Sequence, residues 1–312
     1  MSRTCELLMT SPHTAADAPA EDNVYDAITA ANDSGHWAFG TSFDEPLAGV
    51  DTSVPSDVDG ADLEAYCLML GDDALVLSHR LQQWVTRAPE LEDEVALANI
   101  GLDLLGQARL LLSRAGAAVQ GARTEDWYAY QRDEPDWRNV RLAEIDNGDF
   151  AMSLARLLVL STWRLAVFVR LASSRDPVLA AIATKGAKEL AYHRDYAAGW
   201  VVRLGDGTAE SHRRMQAGLD AVWPLVEELY EAHPVEQRLA EADVAVDPAT
   251  TRDEVDDVLR QVLSVATLTR PEVAARAGVA GRTGRDGAHT EAMGLVLAEL
   301  QSVARAHPDA SW

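Results

Sequence analysis

Leu63, Tyr66, Leu70, Leu77, Leu81 and Trp84 recur at steps of three, four or seven residues. A segment with that period can bury its apolar side chains along one face only as an α-helix. The pattern returns in three later segments. Pro89 ends the first, about 62–87. A second, about 90–114, carries Ala96, Ile100, Leu104, Ala108 and Leu111 inward, with Gly116 placed as a stop. Asp149 can cap a third helix, about 150–174, whose stripe is Leu154, Leu157, Leu158, Ser161, Leu165 and Phe168. Asp176 followed by Pro177 opens a fourth, about 177–204, with Leu179, Ile182, Gly186, Leu190, His193, Ala197 and Trp200 inward.

Residues 124–149 hold Trp127, Tyr128, Tyr130 and Trp137 among charges, with Pro135 and Gly148, and read as a long crossover containing a short helix. Two helices, a long crossover and two more helices predict an all-α, ferritin-like four-helix bundle. Additional C-terminal helices are expected at 209–232, kinked by Pro224, at 250–268 and at 288–306, the middle one opened by a Thr251 to Glu254 capping box. Composition agrees: 47% of residues are hydrophobic but only 6% aromatic, which suits helices better than a β-sandwich.

Residues 1–60 contain eleven acids against one base, Arg3, and no settled apolar period, predicting an acidic, mostly disordered extension ahead of a helical domain over 61–312. Within it Tyr25, Ile28, Trp37, Phe39 and Phe43 form an aromatic strip that reads either as a docking element or as a short local helix. A net charge of −23 argues against nucleic acid as a partner. Only Cys5 and Cys67 are present, which points to a reducing cytoplasm and no disulfide framework. No leader pattern and no run of about 18 uninterrupted apolar residues is found, so neither export nor a membrane is expected.

A di-iron centre in this fold takes one carboxylate from each of two helices and a Glu-x-x-His pair from each of the other two. On the first helix Asp72 and Asp73 could supply a carboxylate. On the second, Asp103 could stand in for Glu, but Gly106 and then Gln107 follow where histidine is required. The third offers Ser161, a poor ligand for iron, and no carboxylate between Phe150 and Ala172. The fourth keeps Glu189 and His193 four apart, with Tyr192 at the third place. These read as a buried hydrogen-bonded pair or as a degenerate metal site. Lys185 and Lys188 could replace lost metal charge beside Glu189 and Asp103, or lie on an ordinary solvated face. No nucleophile elbow, P-loop, H-E-x-x-H or dinucleotide fingerprint is present. Catalytic residues and a resident metal are therefore not expected in this chain.

The segments Leu70–Leu81, Ala88–Glu92, Ala96–Arg109, Ser174–Pro177, Lys188–His193, Gly287–Glu291 and Leu297–Gln301 together resemble the C-subunit family of phenylacetyl-CoA ring 1,2-epoxidases. The resemblance covers roughly 62–312. It implies a ferritin-like, non-catalytic subunit of a multicomponent monooxygenase of aerobic phenylacetate catabolism. A related A subunit would hold the di-iron centre and bind the CoA thioester, and a flavin and iron–sulfur reductase would supply electrons. Two other readings stay open: a di-iron oxygenase with unusual ligands, and a free-standing ferritin-like binding protein.

Overall fold

The computed structural model describes residues 47–121, 123–308 and 310. The aromatic strip of the extension lies outside them. The four long helices are α1 (Gly60–Gln82), α2 (Leu91–Ala118), α5 (Phe150–Leu171) and α6 (Pro177–Gly205). Short α3 (Glu125–Tyr130) and α4 (Arg141–Glu144) lie on the crossover. Then follow α7 (Ala209–Val222), α8 (Pro234–Glu241), α9 (Arg252–Val265) and α10 (Glu291–Ala306). Among the described residues there is no strand, only an isolated bridge between Val279 and Arg282.

The caps act as the local sequence dictates. The Asp149 carboxylate accepts from the Met152 N–H, and Asp176 accepts from the Leu179 N–H with Pro177 in the first turn. Helix α1 packs along α2, α5 along α6, and α2 also against α6, closing the bundle. Contacts from α4, α8 and α10 then cover α1, and every residue from Tyr66 to Ser78 is buried. Helices α2 and α5 are long and apolar enough to cross a membrane by length and composition alone. In α5, 89% of the most apolar 18-residue window is buried inside the protein; in α2 the share is 44%.

Several boundaries differ from expectation. Gly116 lies inside α2 instead of ending it, because a Cβ there would come within 2.0 Å of the Arg123 carbonyl; the glycine lets the crossover pass close. Thr251 does not form a capping box, since its hydroxyl donates to the Pro248 carbonyl in the 3₁₀ turn Pro248–Thr251. Pro224 ends α7 and leaves two 3₁₀ turns in place of one kinked helix, and α8 adds a helix that the periodicity does not predict. Among the described residues, core contacts already start at Leu47, before residue 60. Leu47, Val50, Val54 and Val58 pack on the core, and buried Arg114 donates to the carbonyls of Thr52 and Ser53.

Candidate functional site

The candidate ligand positions of α2 and α6 face each other as two rungs of an antiparallel ladder. Asp103 Oδ2 lies 3.0 Å from His193 Nε2, and Gln107 Nε2 donates to Glu189 Oε2 at 2.9 Å. Each helix contributes residues four apart, so both side chains project from one face toward the neighbour. His193 is fully buried, whereas the Asp103 side chain is 38% exposed at the rim. Gly186 makes room for this arrangement: a Cβ there would approach the Phe168 ring to 2.7 Å and Gln107 Cδ to 3.3 Å.

A third helix enters through Arg164. From α5 its Nε donates to Gln107 Oε1 at 3.1 Å and its Nη1 to the Leu70 carbonyl of α1 at 3.0 Å, with the guanidinium 4.5 Å from the Phe168 ring centroid. One connected network thus links all four long helices. Burial pushes the Arg164 pKa down to about 10, although nearby carboxylates such as Asp73 favour the charge. Arg164 Nη2 and His193 Nδ1 are buried without a partner.

The remaining predicted positions fall elsewhere or make different contacts. Gly106 has open space where its Cβ would be, so the inward polar group of that turn is Gln107. Ser161 is buried but its hydroxyl turns to the Leu158 carbonyl of its own helix, at 3.3 Å. Lys185 Nζ is 3.7 Å from Glu189 Oε1 and largely exposed, and Lys188 is exposed. Asp72 pairs with Arg132 at 2.5 and 2.9 Å and accepts from the Arg138 N–H. Asp73 pairs with Arg285 at 2.9 and 3.0 Å and accepts from the Val140 N–H. These two acids fasten the crossover and the C-terminal segment to α1 and do not join the ladder.

Sequence reasoning misses Arg164 and the role of Gln107. The available signal is a charged residue three after Ser161 and four before Phe168, on a mainly apolar helix whose other charges are Arg156 and Arg170. The ladder's donor set is two carboxylates and one imidazole on two helices, already engaged by one another and by an amide, with a guanidinium alongside. That is not the ligand set of a two-metal centre. Among the described residues no group of three or more His, Cys, Asp or Glu side chains is gathered to hold a metal ion.

A second feature is a surface groove of about 800 Å³ lined in part by Arg141, Met152, Pro224, His289 and Thr290. Burial works against charging His289, but the hydrogen bond and charge of Glu144, 2.7 Å away, outweigh it and raise its pKa.

Residues 49–312 match the family described as phenylacetic acid catabolic protein. The C subunit of the 1,2-phenylacetyl-CoA epoxidase of Escherichia coli (strain K12) is 45% identical over 251 residues, which cover 80% of this chain and 99% of that protein.

Proposed function

The chain belongs to the phenylacetic acid catabolic protein family, and from that premise we propose that it is the accessory subunit of a multicomponent phenylacetyl-CoA epoxidase. It pairs with and supports a separate catalytic A subunit that carries the di-iron centre, while a flavin and iron–sulfur reductase supplies electrons. In this reading the chain holds no cofactor of its own, works in the cytoplasm, and contacts neither membrane nor nucleic acid.

The observation that carries the reading is the Arg164–Gln107–Glu189 network. A protein that keeps two cations between four helices must gather anionic ligands there; this one brings a fixed guanidinium and commits Glu189 to an amide. The network supplies polar crosslinks in place of metal crosslinks and ties the four helices together. A catalytic bundle that admits a bulky thioester must keep cavities that weaken its packing. A filled bundle beside it can brace that structure through a large interface.

Metal analysis and oxygen uptake test this directly. The purified chain alone should hold substoichiometric iron and consume no oxygen with phenylacetyl-CoA; two irons per chain with an oxo-bridged absorption spectrum would overturn the reading. Glu189→Ala should destabilise the chain by about 1–3 kcal/mol, since Gln107 loses its acceptor. Turnover per assembled complex should stay normal. Normal assembly with about a hundredfold loss of turnover, about 2.7 kcal/mol of barrier, would make Glu189 part of the chemistry instead.

A further inference from the structure

Helix α2 is apolar on two sides. Its inward side packs on α1 and α6. Its outward side presents Leu91, Val95, Leu102 and Leu105, which are 70%, 51%, 58% and 36% exposed, with half-buried Ala98 among them. These positions advance by four, three, four and three residues, the seam spacing with which one helix packs along another. No charge interrupts the seam until Arg109, a stretch of about 27 Å at 1.5 Å per residue.

Two glycines give a second, independent indication. Gly106 in α2 and Gly199 in α6 lie in helix interiors, and a Cβ added to either would meet nothing within 4 Å. Glycine is the least favourable helix residue after proline, and nothing among the described residues requires it at these places. Close approach of another backbone does require it. The ladder fixes the register, Asp103 with His193 and Gln107 with Glu189. Continued along the helices, it sets exposed Tyr192 level with the Leu102–Leu105 turn and Gly199 level with the Val95–Ala98 turn. Seam, tyrosine and glycines therefore share the outer wall formed by α2 and α6.

We infer that this wall is the docking surface for the catalytic subunit, which lays an apolar-seamed helix along α2. The inference rests on the accessory-subunit reading. The seam spacing selects a helix over a flat surface or a small ligand. Charge selects its flanks. Glu92, Glu94 and Asp103 border one half of the seam, and Lys185 and Lys188 border the other, where Arg109 is paired with Glu125. The docking helix therefore carries Lys or Arg opposite the first half and Asp or Glu opposite the second. A net charge of −23 repels a second copy of the chain over long range and favours a different partner.

The test is binding of the full chain to its iron-loaded catalytic subunit, with sedimentation of the chain alone and flotation with anionic phospholipid vesicles alongside. Leu102→Glu should weaken association about a hundredfold. Gly106→Leu should weaken it about tenfold while the isolated chain melts no lower than wild type. Leu295→Glu, an equally exposed position on α10, should bind as wild type. If wild type associates and the two α2 variants do so equally well, the wall is not the interface and the accessory reading stands without it. If wild type does not associate at all, the accessory reading falls and this inference with it. A self-dimer, or vesicle binding, that Leu102→Glu abolishes would hand the wall to another occupant and overturn the proposal.

Discussion

Two pairs of carboxylates sit at comparable places in the bundle and have opposite environments. Asp72 and Asp73 are buried, and each accepts from two guanidinium nitrogens, one on each carboxylate oxygen, and from one backbone N–H. Asp103 and Glu189 lie at the α2–α6 seam, partly open to solvent, against an imidazole and an amide. The first pair fixes chain topology, because its arginines come from the crossover and from the C-terminal segment. The second adjusts the fit of two helices already adjacent. Acidic residues of similar appearance in sequence thus divide into locks and trims according to what reaches them from far along the chain.

That contrast can be broken by substitution. Asp73→Ala should cost about 3–5 kcal/mol, because Arg285 is left buried and charged without the carboxylate it is bonded to. Calorimetry of the purified chain measures it, and a loss near that of Asp103→Ala would erase the distinction. A third lock, the buried Arg114–Asp176 pair, is covered by residues 47–58. A chain beginning at residue 59 should be about 2–3 kcal/mol less stable than one beginning at 46, since Val50, Val54 and Val58 lose their burial and Arg114 two acceptors. Urea titration of both chains decides it, and coincident curves would show that the segment only rests on the body.

At the seam the effects shrink. Asp103→Ala should cost about 1 kcal/mol, because its side chain is partly solvated. The smallest effect belongs to the lock Glu144 makes with His289. The folded pKa of His289 is raised above its usual 6.5. Its contribution is therefore complete below about pH 6.5 and is lost as pH rises through the folded value. The melting temperature should drift down slightly as pH rises above about 6.5, and His289→Gln should flatten that drift. An unchanged slope would separate His289 from the lock.

What the sequence made legible follows the range of the interaction concerned. The four long helices, the Asp149 and Asp176 caps, and the shared inward face of Glu189 and His193 depend on neighbours within a turn, and periodicity exposes them. The fate of Asp72 and Asp73 depends on Arg132 and Arg285, the nearer of which lies about sixty residues away, beyond any local pattern. Arg164 stays hidden because a charge in an apolar stripe usually reaches the surface. Gly116 looks like a stop because the Arg123 carbonyl that demands it comes from the following loop. Thr251 carries the right cap chemistry, but the preceding 3₁₀ turn takes its hydroxyl.

The unbroken burial of α1 has a consequence for measurement. With no residue from Tyr66 to Ser78 open to solvent, the amide protons of that helix can exchange with deuterium only when the whole bundle opens, so their rates report global stability. The outward amides of α2 have no such cover and exchange through local fraying. Deuterium uptake at the two helices in one sample would therefore separate an event that tightens the entire chain, slowing both, from one that merely covers a wall, slowing α2 and leaving α1 as it was.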